Sequence, residues 1–179
     1  MAEVKKILVG VTGSISAYKT CSVVRAFVKA GHSVTVVATP AALEFVGEIT
    51  WRSLSQNHVV TDFFNDEVSP NPHIKFSQEA DLFLIAPASA NTIAKLACGF
   101  ADNVLTGCAL AATCPILVAP AMNTKMFENA ATQENIAKLK SRGIEIVEPE
   151  TGVLACGGVG KGNLASVDTL VDACMKHLQ

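Results

Sequence analysis

The chain has 179 residues, half of them hydrophobic and 17% charged, with a formal net charge of −2. That length suits one domain, 1–179, with a core of its own, and so apolar a composition excludes a disordered chain. The absence of a basic run or patch excludes nucleic acid as the main partner. The apolar excess predicts surface buried against further copies of the chain. No segment approaches the roughly 20 apolar residues of a membrane span. Met1–Lys6 leads directly into an apolar strand without the features of a secretory signal, so the expected location is the cytoplasm. The cysteines at 21, 98, 108, 114, 156 and 174 lack CxxC spacing and give no support for a metal or a redox pair. In a reducing compartment most of them are expected to be small buried hydrophobes.

Strand and helix alternate along the chain, which predicts an α/β fold with a parallel sheet and helices on both faces. Ile7-Leu8-Val9-Gly10-Val11 is a continuous apolar run of the kind buried on both sides. A helix is predicted from there to about Ala30, stopped by Gly31. Residues 33–38 form the second strand, and a helix starts near Thr39-Pro40. The stretch 51–78 is irregular, and Pro70 and Pro72 are expected to break any element there. Leu82-Phe83-Leu84-Ile85-Ala86 is the next strand. Two helices follow from Ser89 to about Ala112, meeting near Gly99. Residues 116–119 form a strand, 132–142 a helix capped by Gly143, and 144–147 a short last strand. Gly152 to Asn163 carries five glycines and reads as a flexible loop, and 167–178 closes the chain as a helix.

In an open parallel sheet, ligands bind beyond the carboxyl ends of the strands. Four segments fall there: Gly13-Ser14-Ile15, Thr39-Pro40, Pro87-Ala88-Ser89-Ala90-Asn91-Thr92 and Pro120-Ala121-Met122-Asn123. Helix N-termini offer free N–H groups and partial positive charge, which suit a phosphate, and Ser14, Thr39 and Ser89 add hydroxyls. Gly10-Val11-Thr12-Gly13 is not a G-x-G-x-x-G fingerprint and no acidic residue closes the second strand. The pattern therefore fits a mononucleotide better than a dinucleotide. Taken singly, each segment is also an ordinary cap or turn.

Gly13-Ser14-Ile15, Asn71-Pro72-His73-Ile74, Pro87 to Thr92, Gly99 to Asn103 with Leu105-Thr106, Pro120 to Phe127, and Leu154-Ala155-Cys156-Gly157 occur in one order and spacing. Together they resemble the homo-oligomeric flavin-containing Cys decarboxylases over nearly the whole chain. The Pro120-to-Met126 segment and the histidine loop separate the chain from flavin prenyltransferases of similar fold. The resemblance implies a Rossmann-like (flavodoxin-like) three-layer sandwich that assembles as a homotrimer or homododecamer, with FMN at the subunit contact. It implies FMN contacts at Gly13, Ser14, Ile15, Thr39, Phe45, Pro87, Ala88, Ser89, Ala90 and Ala121.

The implied activity is FMN-dependent decarboxylation of 4′-phospho-N-pantothenoylcysteine to 4′-phosphopantetheine in coenzyme A biosynthesis. A cysteine carboxylate needs an electron sink before it can leave. In this family the thiol-bearing carbon is oxidised to a thioaldehyde, and loss of CO₂ then gives an enethiolate. His73 matches the family's active-site histidine, a residue type that exchanges protons near neutral pH; by composition alone it would be a loop histidine beside prolines. Asn123 would hold the substrate carboxylate and amide, and is also a good helix cap; Met122 and Met126 would form an apolar wall. Cys156, next to Gly157 in a clamp at about 152–165, would give the final proton.

A peptidyl-cysteine decarboxylase of the lantibiotic type, which releases the enethiol, is the alternative. A flavoprotein that acts only by binding a partner is the second. The clamp departs from the family at Gly158, where an Asp is usual, which puts one substrate contact in doubt. Lys161 is read as a solvated loop lysine or a phosphate contact. A chain ending at Gln179 is compatible with a free-standing enzyme or with one half of a bifunctional one.

Overall fold

Apolar runs without polar alternation require a sheet covered on both faces, and that is how these strands are used. The structure is a computed structural model and describes residues 3–64, 69–153, 155 and 157–178. Its main sheet contains β1 (Lys6–Val11), β2 (Ser33–Ala38), β3 (Val59–Val60), β4 (Leu82–Ala88), β5 (Ile116–Pro120) and β6 (Glu145–Ile146). All pairings are parallel and the order is β3-β2-β1-β4-β5-β6. This is a doubly wound order that reverses between β1 and β4. Without the two-residue edge strand β3, the other five follow the flavodoxin-type order.

The period-2 geometry of β1 divides its side chains between two cores. Ile7, Val9 and Val11 face one side with α1 (Ala17–Lys29), α3 (Glu48–Ser55) and α9 (Val167–Met175). Leu8 faces the other, with Phe83 and Ile85 of β4, α5 (Ala90–Cys98), α6 (Val104–Ala111) and α8 (Ala130–Ser141). Glycines end helices where a left-handed residue is needed: Gly99 follows α5 at φ +75° and Gly143 follows α8 at φ +82°. The remaining helices are α2 (Pro40–Leu43), α4 (Pro72–Glu79) and α7 (Thr124–Glu128).

Two expectations need correction. The stretch 51–78 is not irregular throughout: it holds most of α3, then β3 and α4. Trp51 fixes α3 by complete burial, with its indole N–H donating to the Val46 carbonyl at 3.0 Å. Pro72 starts α4 rather than breaking it, since the first helical turn has no use for that N–H. The glycine-rich stretch is not all loop either. β7 (Glu150–Val153) and β8 (Val159–Asn163) form an antiparallel hairpin outside the main sheet. Five glycines leave no side-chain alternation to reveal such pairing.

Cys108 and Cys174 are the buried hydrophobes expected, and burial pushes both thiols up to about 12. Cys21 and Cys114 are half-buried and raised for the same reason. Cys98 is exposed. Among the described residues, no helix is long and apolar enough to cross a membrane, and no group of three or more His, Cys, Asp or Glu could hold a metal.

Candidate active site at the mouth of the sheet

The loops after β1, β4 and β5 converge at the reversal point because two buried hydrogen-bond links tie them together. Thr12 is 1% exposed. Its hydroxyl donates to the Pro87 carbonyl at 2.7 Å and accepts the Ser89 N–H at 2.9 Å. The Ala121 N–H then donates to the Ala88 carbonyl at 3.1 Å. Thr20 in α1 adds a bond to the Ala86 carbonyl at 3.0 Å. Sequence reasoning missed Thr12 and Thr20. No local signal marks Thr12, whose partners lie 75 and 77 residues away.

The resulting cleft has a volume of about 300 Å³, at the low end for small-molecule sites. Gly13, Ser14, Ile15, Ser89, Ala90, Ala121, Met122, Asn123 and Met126, all named above from the sequence, line it. Ser16, which was not foreseen, lines it too, as do Ala155, Gly162 and Asn163 of the expected clamp. Gly13 must lack a side chain, since a Cβ there would stand 2.7 Å from that of Ala41 in α2. Ser89 caps α5 by accepting the Thr92 N–H at 3.3 Å. Asn123 caps α7 by accepting the Lys125 N–H at 2.9 Å, so its capping role is real.

Other expected site residues do not line this cleft. Pro87 and Ala88 are buried and offer backbone carbonyls to the links above. Thr39 is 9% exposed and caps α2, accepting the Ala42 N–H at 3.2 Å. Phe45 is 49% exposed and lines none of this cleft. Gly157 is exposed at φ +84° in the hairpin turn, and Cys156 lies outside the described residues.

His73, the second residue of α4, lies in a separate cleft with Phe63, Ile74, Ala101, Gly107, Leu110 and Ala111. No residue is common to the two clefts. Its ring meets Phe63 edge-on, with centroids 5.0 Å apart. Gly107 permits that contact: a Cβ there would come within 2.7 Å of the Phe63 ring. The His73 Nδ1 is buried with no hydrogen-bond partner among the described residues. A proton on that nitrogen would be unsatisfied, which favours the tautomer carrying it on Nε2. Nearby, Lys95 bonds to Asp102 and holds its carboxyl below the usual range.

The clamp is also better defined than its glycines suggest. Lys161 is not solvated freely: its ammonium sits 2.8 Å from Glu148. Lys161 first, then Lys140, holds the Glu148 carboxyl below its ordinary pKa.

Comparison with known proteins agrees with this geometry. A family profile described as "Flavoprotein" matches residues 1–179. The chain belongs to the Flavoprotein family. It is 48% identical over 177 residues to a probable phosphopantothenoylcysteine decarboxylase of Streptococcus mutans, covering 97% of this chain and 99% of that protein. It is 46% identical to the coenzyme A biosynthesis bifunctional protein CoaBC of Mycolicibacterium smegmatis, covering 95% of this chain but only 41% of that longer protein. A solved cysteine-to-serine mutant of PPC decarboxylase, complexed with pantothenoylaminoethenethiol, superposes with a TM-score of 0.84 at 32% identity, covering 96% of both chains. The FMN-dependent cysteine decarboxylase SpaF superposes with a TM-score of 0.85 at 32% identity, covering 99% of this chain and 98% of its own. Within the flavoprotein family, the small residues and hydroxyls of the cleft fit an FMN. Ala90 and Ala121 add little bulk where a flat ring would lie, and the starts of α1 and α5 with Ser14 and Ser89 suit a phosphate.

Proposed function

We propose that this chain is an FMN-dependent carboxy-lyase of coenzyme A biosynthesis. It converts 4′-phospho-N-pantothenoylcysteine to 4′-phosphopantetheine and CO₂. One observation carries the reading: a chain 48% identical to the Streptococcus mutans relative along nearly its whole length gathers three of its four strand-end segments into one cleft.

Bound FMN supplies the electron sink that a cysteine carboxylate lacks. The remaining work falls to the side chains. N–H groups at the helix starts and the hydroxyls of Ser14 and Ser89 bind a phosphate. Met122 and Met126 exclude water from one side of the cleft. Asn123 orients the substrate carboxylate and amide by hydrogen bonds. His73 exchanges the thiol proton, and Cys156 returns the proton that completes the saturated product.

His73 can do this only if the cleft is completed by a second copy of the chain. We place the His73 cleft of one copy against the Asn123 cleft of the next, in a homotrimer, four of which can build a dodecamer. Exposed apolar side chains support this on both surfaces: Ile15 and Met126 on one, Ile74 and Leu110 on the other. Two different patches meeting head to tail close a ring when the rotation fits. The cytoplasm, where thiols stay reduced, suits the five free cysteines among the described residues.

The likeness to SpaF, an FMN-dependent cysteine decarboxylase, keeps one further reading in the test, decarboxylation of a peptide's C-terminal cysteine. The FMN-loaded protein is offered both substrates and the products are weighed. Loss of CO₂ alone from phosphopantothenoylcysteine is the expected result, and Cys156→Ser should lose two further hydrogens as the enethiol accumulates. Turnover of the peptide alone would move the assignment to the peptide class, and turnover of neither would leave a binding flavoprotein. A protein that purifies colourless and takes up no FMN would end the decarboxylase reading.

A further inference from the structure

Strand β8 is fastened to the segment that carries Asn123 by three successive residues. The Met122 N–H donates to the Gly162 carbonyl at 3.0 Å. A Cβ on Gly160 would stand 2.3 Å from the Thr124 hydroxyl oxygen, so the strand lies flush there. Between these glycines, the Lys161 ammonium sits 2.8 Å from Glu148 Oε2 and 5.3 Å from the centre of the Phe127 ring in α7. The other Glu148 oxygen takes Lys140 of α8 at 2.9 Å. Among the described residues at the far end of the hairpin, the paired Val153 and Val159 are 71% and 74% exposed. Yet Ala155, Gly162 and Asn163 form one wall of the cleft.

We infer that Lys161 is a positioning residue for the reaction: paired with Glu148 and seated over Phe127, it latches the β7–β8 hairpin in register with Asn123. A lone exposed ion pair would hold little. Here the carboxylate joins a hairpin lysine to a body lysine, and an aromatic face receives the same ammonium. The geometric part stands on the contacts alone; the kinetic part rests on the decarboxylase reading.

The test uses the FMN-loaded full chain and follows nicking of the hairpin by elastase, which cuts after small apolar residues such as Val153 and Val159. Lys161→Met and Glu148→Gln should each be nicked about three- to tenfold faster than the parent. KM for phosphopantothenoylcysteine should rise by a similar factor while kcat and the unfolding midpoint stay put. Lys161→Arg should restore both readouts, and Lys140→Met, which touches only the body side of Glu148, should leave nicking unchanged. Nicking of Lys161→Met at the parental rate, or failure of the arginine to rescue, would overturn the latch. A parent that turns over nothing, with the nicking ratios intact, counts against the decarboxylase reading and for the latch.

Discussion

Thr12 does not line the cleft, yet its one hydroxyl joins the two loops between which the site is built. Buried groups that lose a partner cost more than the bond is worth, because no water replaces it. Thr12→Val keeps the shape and leaves the Ser89 N–H unpaired. We expect a loss of about 1–3 kcal/mol in urea unfolding, with weaker FMN retention because Ser89 starts α5. Equal stability of the valine variant would show the link to be idle. Ser14, Ser89 and Asn123 were legible from the chain because each is a polar residue at a strand end, a local feature. Thr12 was not, because its partners lie 75 and 77 residues away.

Among the elements, α6 shows how a cap fixes a functional surface. The Asn103 side chain accepts the Thr106 N–H at 3.0 Å, and the Thr106 hydroxyl answers the Asn103 N–H at 3.4 Å, a reciprocal box. From that start α6 delivers Gly107, Leu110 and Ala111 to the cleft that holds His73. Asn103→Ala should cost about 1 kcal/mol and Asn103→Asp much less, read by urea denaturation. Equal loss in both variants would deny the cap its role. The alternation of strands and helices was readable, as were the stops at Gly31, Gly99 and Gly143. α4 and the β7–β8 hairpin were not. A proline pair resembles a breaker unless one knows which turn of a helix it occupies, and a glycine-rich strand carries no pattern of its own.

At the scale of the molecule, the separation of the two clefts is the decisive feature. Neither His73→Asn nor Asn123→Ala alone should decarboxylate. If one copy supplies His73 and the next supplies Asn123, random co-assembly of the two variants restores about a quarter of the sites, because each interface needs one intact partner of each kind. Activity in the co-expressed mixture, absent when the variants are mixed after assembly, is the expected outcome. A co-expressed mixture as inactive as its parents would place both groups in one chain.

Strand runs, caps and the strand-end polar residues were set by the sequence itself, because burial period and turn chemistry act over a few neighbours. The distance between His73 and Asn123, the Thr12 links and the seat of Lys161 were decided only by the fold. Those depend on which strands become neighbours, and strand order joins residues too far apart in the chain for any local pattern to record.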